Sequence, residues 1–330
     1  MKVLIMGASG FIGSHLASHL ISRGHEVWGT WFSERERTAL EGMGGRVRLV
    51  RCDVRKRNEV ERVVRRCRPE RVYHLAAQSF PTVSWRRPAL TIKTNVIGTI
   101  NLFEAIKGLG RVGRELNARV LIAGSSAVYG LVNEDEVPVR EDHPLRPLHP
   151  YGVSKAAQEM LGYQYFKNFG IWSATARIFN TTGPGKVSDV CSDFASQIAR
   201  IEAGLQRGPM RVGNLSARRD ITDVRDQVRG LEAVIERGEP GEAYNLSTGR
   251  AVRIRDILEH LISLSTVKIE YRVDPALLRP TDEPVIMGDS SKVRRATGWR
   301  PRIPLRKTLQ DTLDFWRKRV ASRAPGPQSA

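Results

Sequence analysis

The sequence predicts an α/β protein, a doubly wound parallel sheet carrying a smaller C-terminal α/β lobe. Three observations predict it. Short apolar runs alternate with helical segments through the first half of the chain, a glycine-rich turn follows the first of those runs, and the alternation breaks after about Phe179, where Gly, Pro and Arg become common and elements shorten. Strands alternating with helices are joined by crossovers, so they lie parallel with helices on both faces.

In chain order, Lys2–Met6 reads as a buried strand. Residues 11–23 read as a helix with the apolar stripe Phe11, Ile12, Leu16, Leu20 and Ile21. Residues 26–30 and Val47–Arg51 are the next strands, 58–66 a helix, 71–75 a strand, 88–109 a long helix and 119–123 a strand. A second long helix covers 150–168 and a strand covers 172–178. Residues 1–178 are expected to form the first domain, completed at about 221–248 by a helix over 223–236 and the strand Ala243–Leu246. Residues 179–220 and 249–320 then form the second lobe, and the Pro/Gly/Ser/Ala-rich tail 321–330 is expected to be disordered.

Composition narrows the classes. The 330 residues are 41% hydrophobic and 27% charged, which excludes wholesale disorder. No apolar run approaches the roughly 18 residues of a membrane helix, and the start lacks the apolar core of a signal peptide, so no membrane association and a cytoplasmic location are expected. Cys52, Cys67 and Cys191 are too few and too scattered for a disulfide framework or a zinc site, and no metal is expected. Lys+Arg 53 against Asp+Glu 35 leaves a net charge of +18. These basic residues spread along the whole chain, with no dense block interleaved with aromatics. That pattern fits an Arg-rich soluble protein with an anionic ligand better than a nucleic-acid binder. Arg62, Arg65 and Arg66 read as a solvated helix face, and Trp28 and Trp31 as core or sheet-end packing.

Gly7-Ala8-Ser9-Gly10-Phe11-Ile12-Gly13 is a G-x-x-G-x-x-G turn between a strand and a helix. Gly7 permits the tight turn, Gly10 lets backbone N–H groups approach a diphosphate, and Gly13 lets the helix pack close to the strand, with the helix N-terminus facing the phosphates. The turn is that of a dinucleotide-binding, Rossmann-like domain. Asp53 and Val54 end the third strand, where the Asp53 carboxylate could accept from the adenine amino group. Leu75, Ala76 and Ala77 end the fourth, small enough for backbone to lie along the cofactor. An acid at the end of the second strand would hold the ribose 2′-OH of NAD(H). Thr30 and Trp31 stand there instead, and Ser33 and Arg35 could cradle a 2′-phosphate, so NADP(H) is favoured over NAD(H).

Tyr151-Gly152-Val153-Ser154-Lys155, following Pro150, is Y-x-x-x-K at a helix start, and the i, i+4 spacing puts both side chains on one face. A lysine ammonium beside a phenol favours the phenolate and lowers its pKa, so Tyr151 can exchange a proton with a sugar hydroxyl or carbonyl. Upstream, Gly124-Ser125-Ser126-Ala127-Val128-Tyr129-Gly130 follows a strand, and the Ser125 hydroxyl could bond the same oxygen.

With these motifs in this order, over about 1–318, the chain resembles the nucleotide-sugar branch of the extended short-chain dehydrogenase/reductase family. The resemblance implies Ser125, Tyr151 and Lys155 as the catalytic triad. It places Asn95 where the family has a helix-kinking Asn. Arg177-Ile178-Phe179-Asn180-Thr181-Thr182-Gly183-Pro184 is similar to the family's R-x-F-N-x-x-G-P turn, which implies that Asn180 touches the substrate diphosphate. The segments 212–220, 278–282 and 288–301 are similar to GDP-mannose 4,6-dehydratases and their partner reductases. They imply Arg219 and Arg279 as a diphosphate clamp, and Asp282, where relatives usually carry Glu, as a ribose contact. Ser126 is placed as a substrate contact, and His149, where relatives usually have Ser, as a spectator, with a pH-sensitive contact as the alternative.

A 4,6-dehydratase needs a carboxylate base beside the catalytic Ser/Thr. Family dehydratases carry Glu at the position of Ala127, sometimes with Asp before it, whereas this chain has Ala127 and Ser126. The resemblance therefore implies reduction of a GDP-4-keto-6-deoxyhexose to GDP-D-rhamnose, with a nucleotide-sugar 4-epimerase or a dehydratase as alternatives. The ligand would be a GDP-sugar, with another nucleotide sugar as the alternative. The helices at 88–109 and 150–168 are long enough to pair with their copies in a homodimer or dimer of dimers.

Overall fold

The computed structural model describes residues 1–34, 45–110, 118–278 and 283–322. Strands β1 (Lys2–Met6), β2 (Glu26–Trp31), β3 (Val47–Arg51), β4 (Arg71–His74), β5 (Arg119–Ser125), β6 (Ser173–Ile178), β7 (Asn180–Thr182), β8 (Met210–Val212), β9 (Arg218–Asp223), β10 (Ala243–Leu246), β11 (Ala251–Arg253), β12 (Tyr271–Val273) and β13 (Val285–Ile286) follow one another along the chain. Seven of them form one sheet in the order β10-β6-β5-β4-β1-β2-β3, with every neighbouring pair parallel. The chain runs outward from β1 to β3, then returns to the other side of β1 as β4. The reversal opens a crevice at the carboxyl ends of β1 and β4, the usual ligand position in such sheets.

Both faces of the sheet are covered, which is why its central strand β1 is apolar and buried from Val3 to Met6. Along β1, Val3 and Ile5 join a core with Leu16 and Leu20 of the helix Phe11–Ser22 and Leu231 and Val234 of the helix Val224–Arg237. Leu4 and Met6 point the other way, into a core with Val60 and Val64 of the helix Arg57–Cys67 and Leu102, Phe103 and Ile106 of the helix Gly98–Gly110. The sheet and helices form the Rossmann-like, doubly wound fold expected from the sequence.

After β6 the chain builds smaller sheets. β9 pairs with β11, with β13 and with β7, and β8 pairs with β12. A third core around Phe194, Ile198, Leu258, Leu261 and Leu313 packs the helices Val190–Glu202, Ile254–Ser263 and Leu305–Ala321. β10 then returns to the main sheet beside β6. No helix among the described residues is long and apolar enough to cross a membrane. The tail residues 323–330 lie outside the described residues.

Two local features differ from expectation. The helix expected over 88–109 is Pro88–Ile92, a π-helical turn Lys93–Ile97 and Gly98–Gly110. A short helix, Pro81–Arg86, precedes it. The apolar pattern of a helix does not reveal one widened turn, whereas Asn95 inside that turn gives it a polar cause described below.

Candidate active site

A cleft of about 1170 Å³ runs from the glycine turn, across the carboxyl ends of β1, β4 and β5, to the second lobe. Gly7, Gly10, Phe11, Ile12 and Gly13 line one part of it, with Asp53, Val54, Leu75, Ala76 and Ala77. Ser125, Ser126, Tyr151 and Lys155 line the middle, and Asn180 and Arg219 the far side. Ser33 lies just past the lining residues Thr30, Trp31 and Phe32 and is not itself part of the wall. Arg35, Arg279 and Asp282 fall outside the described residues.

The glycine turn fits a dinucleotide diphosphate. Gly7 has φ +86°, and a Cβ there would stand 2.9 Å from the Ala76 backbone. A Cβ on Gly13 would meet the Gly7 carbonyl oxygen at 2.2 Å, so only glycine lets the helix start this close to the turn. No side chain caps the helix that begins at Phe11, which leaves its N-terminal dipole for a ligand anion. Thr30 Oγ1 accepts the Gly7 N–H at 2.8 Å and anchors the turn to β2.

Asp53 has a partner that the sequence did not show. Its carboxylate already accepts from Arg55 Nε (2.8 Å) and Nη2 (2.7 Å), and the Arg55 hydrogen bonds hold it below the usual carboxylate range against the opposing effect of burial. The Arg55 guanidinium sits 5.2 Å over the Phe32 ring. Arg55 and Phe32 both line the cleft, as does Trp31, which is therefore more than sheet-end packing. Trp28 is the packing residue, buried beneath Arg48 and Arg66.

The expected catalytic helix, which carries Tyr151 and Lys155, is Pro150–Phe169. Pro150 opens it, and His149 Nδ1 caps it by accepting the Gly152 N–H at 3.0 Å. His149 also stacks beside Tyr151, with ring centres 5.9 Å apart. The expectation of a spectator is thus corrected: an imidazole acceptor one residue before Pro150 does the work of a Ser cap. Asn95 is the second brace. Its carbonyl oxygen accepts the Gln78 N–H (2.7 Å), and its amide donates to Ser154 Oγ (2.8 Å), which donates to the Tyr151 carbonyl (2.7 Å). The π turn places this fully buried amide between the β4 end and the catalytic helix. On the other side, Arg177 pairs with Glu159 at 2.6 Å and donates to Tyr129 Oη at 2.7 Å, tying β6 to the same helix.

Lys155 is buried, and its Nζ donates to the Ala123 carbonyl at 2.7 Å and lies 5.7 Å from the Tyr151 ring centre. Burial pulls its pKa down to about 7. His74 nearby is held neutral, pulled to about 3 by burial and secondarily by the Lys155 charge. Tyr151 departs from expectation. Burial pushes its pKa up, and a hydrogen bond with Ser125 offsets only part of that. Burial outweighs that bond, so Tyr151 is held protonated, as an acid.

Among the described residues, no cluster of His, Cys, Asp and Glu could hold a metal, and all three cysteines are free and buried. Sequence reasoning missed Arg55, Phe32 and Lys186 in the cleft wall. Arg55 carried a signal, a basic residue two places after the strand-end acid. The other two become visible only when distant segments meet.

The family model GDP-mannose 4,6 dehydratase matches residues 4–312. A GDP-6-deoxy-D-mannose reductase of Pseudomonas aeruginosa is 33% identical over 320 residues, covering 97% of this chain and 98% of its own. Among solved structures, RMD from Pseudomonas aeruginosa complexed with NADPH is 31% identical with a TM-score of 0.82, covering 97% of this chain and 100% of that one. A Thermus thermophilus UDP-glucose 4-epimerase complexed with NAD is 30% identical with a TM-score of 0.83, covering 96% and 99%.

Proposed function

The chain belongs to the GDP-mannose 4,6-dehydratase family of extended short-chain dehydrogenases/reductases, and from that premise we propose that it reduces the C4 ketone of a GDP-4-keto-6-deoxyhexose with NADPH, forming GDP-D-rhamnose. The enzyme class, a nicotinamide-dependent oxidoreductase acting on nucleotide sugars, follows from the family. The ketone substrate, the direction and the choice of NADPH are the proposed part.

The turn after β5 carries the reading. Ser125 stands with Tyr151 in the cleft, while Ser126 and Ala127 occupy the positions where dehydration needs a base. The other described carboxylates of the cleft wall sit on different elements and have partners. Asp53 pairs with Arg55, Asp189 accepts the Ser192 N–H, and Asp193 accepts from Gln197. Losing a positioned base costs about 10²–10⁴-fold, so dehydration is disfavoured.

A bound reduced dinucleotide would supply hydride to the ketone carbon. The chain's own task is to hold the ketone oxygen and protonate it. Ser125 Oγ approaches from a strand end and Tyr151 Oη from a helix start, and the phenol, kept protonated by burial, gives its proton to the developing alkoxide. Lys155, whose ammonium donates to the Ala123 carbonyl, would steady the phenolate that Tyr151 becomes. Asn180 and Arg219, with Arg279 and Asp282, would orient the nucleotide diphosphate and ribose.

Preference for NADPH over NADH is supported by Thr30, whose hydroxyl accepts the Gly7 N–H where a carboxylate would hold a ribose 2′-OH. Arg55 over Phe32 adds a cation at the same end, alongside Ser33 and Arg35. A homodimer or dimer of dimers is part of the proposal. It is supported by Val153, Met160 and Tyr163, which leave one side of the catalytic helix apolar and exposed.

A 4-epimerase would use the same triad, and the likeness to the UDP-glucose 4-epimerase favours it as a second reading. The test is incubation with GDP-mannose, its 4-keto-6-deoxy derivative and UDP-glucose, each with NADH or NADPH, followed by product NMR. The proposal expects turnover only of the 4-keto derivative, with NADPH consumed. Stoichiometric bound NAD with UDP-sugar interconversion would establish the epimerase instead.

A further inference from the structure

Lys186 lines the cleft but belongs to neither the triad nor the expected substrate clamp. It lies in the turn between β7 and the helix Val190–Glu202, shaped by Gly183 (φ +146°) and Gly185 (φ +93°). The turn is pinned to the first domain. His15, on the glycine-turn helix, donates Nε2–H to the Pro184 carbonyl at 2.9 Å and meets the Phe11 ring edge-on at 5.4 Å. Burial pulls the His15 pKa down, which suits a neutral ring with its one proton on Nε2. Lys186 Nζ completes the contact, 4.9 Å from the centre of the Phe11 ring.

This ammonium is poorly compensated. Burial pulls its pKa down, Asp189 opposes that only at a distance, and no carboxylate of the described residues lies within ion-pair range. Half-burying a charge against one aromatic face is unfavourable unless an anion joins it. Phe11 opens the helix whose N-terminus is uncapped, so the ammonium and the helix dipole converge on one place.

The geometry points to Lys186 as a clamp on the dinucleotide's diphosphate, supplied by the second lobe across the cleft, with His15 as the positioning residue for its turn. The inference rests on the dinucleotide reading of the glycine turn. It makes cofactor binding a link between the two lobes: the diphosphate bridges backbone N–H groups of one and an ammonium of the other.

The GDP-sugar carries a diphosphate too, so the test separates the two sources. Dissociation constants for NADPH, NADH and GDP are measured by calorimetry on the wild type and on Lys186→Met, Lys186→Gln and Lys186→Arg. Methionine keeps the apolar stem against Phe11 and removes the charge, and glutamine is a second neutral replacement should the first fold poorly. The expected result is about 10- to 100-fold weaker binding of the preferred dinucleotide in both neutral variants, on the scale of a lost charged hydrogen bond. Lys186→Arg should recover most of it, GDP affinity should stay within twofold, and the ligand-free melting temperature should not fall. Unchanged dinucleotide affinity in the neutral variants would overturn the clamp while leaving the dinucleotide site standing. Loss confined to GDP would overturn it by placing the ammonium on the substrate. A wild type that binds neither NADPH nor NADH would overturn both readings.

Discussion

At the scale of single residues, the site is a compromise between burial and charge. In the proposed reduction Tyr151 needs its proton to quench an alkoxide, and the cleft supplies that condition by desolvating the phenol rather than by acidifying it. Tyr151→Phe should therefore lower turnover by about 10²–10⁴-fold while leaving NADPH affinity within a few-fold, as steady-state kinetics and calorimetry would show. Unchanged turnover would exclude the proton-donor role. Lys155 pays in stability for its position. Its pKa is lowered to about 7 in the folded protein, so between there and the ordinary lysine value of about 10.4 the unfolded chain holds a proton that the native state does not. The penalty is fully present below about pH 7 and fades as the pH rises toward 10. Urea unfolding of the cofactor-free protein should show the wild type gaining on Lys155→Met across that window. A difference that stays constant from pH 6 to pH 10 would contradict the buried ammonium.

At the scale of elements, the catalytic helix is held at its start more than along its length. His149 caps it, Asn95 reaches it through Ser154, and Arg177 grips Glu159 further along. His149→Ala should cost about 1 kcal/mol, the usual scale of a lost side-chain cap, and His149→Ser should restore most of it, both read by chemical denaturation. Equal stability of all three proteins would show that the cap contributes nothing. The same elements show what a sequence discloses. β1, the glycine turn and Y-x-x-x-K were legible because each is a local pattern whose geometry follows from its own spacing. The π turn at Lys93–Ile97 left no trace in the apolar repeat, which one widened turn hardly alters; only the resemblance pointed to a kink, at Asn95 inside it. His149 was misread because histidine is an uncommon cap, and its acceptor role depends on which face it turns to Gly152. Arg55 over Phe32 and Lys186 over Phe11 are contacts between distant segments, which only the assembled sheet and second lobe bring together.

At the scale of the whole molecule, the reversal of strand order between β1 and β4 explains why one cleft holds everything. In the proposed reading the crevice receives the dinucleotide; β5 and the helix Pro150–Phe169 bring Ser125 and Tyr151 to its middle, and the lobe after β6 closes the far side with Asn180 and Arg219. The exposed apolar side of the catalytic helix belongs to this scale as well. Met160 is 60% exposed and Tyr163 52%, large side chains that a solitary subunit would leave in water. Met160→Glu with Tyr163→Arg should shift sedimentation from dimer to monomer, and a wild type that sediments as a monomer at micromolar concentration would remove the dimer from the account.

The central claim is that hydride arrives at C4 and is not redistributed within the sugar. The direct measurement follows deuterium from NADPH labelled at its transferable position, using the GDP-4-keto-6-deoxyhexose as substrate and NMR of the product. The account predicts label at C4 of GDP-D-rhamnose, none at C6, and one NADPH consumed per product. Formation of a 4-keto-6-deoxy sugar from GDP-mannose, with hydrogen moved from C4 to C6 and no NADPH consumed, would contradict it.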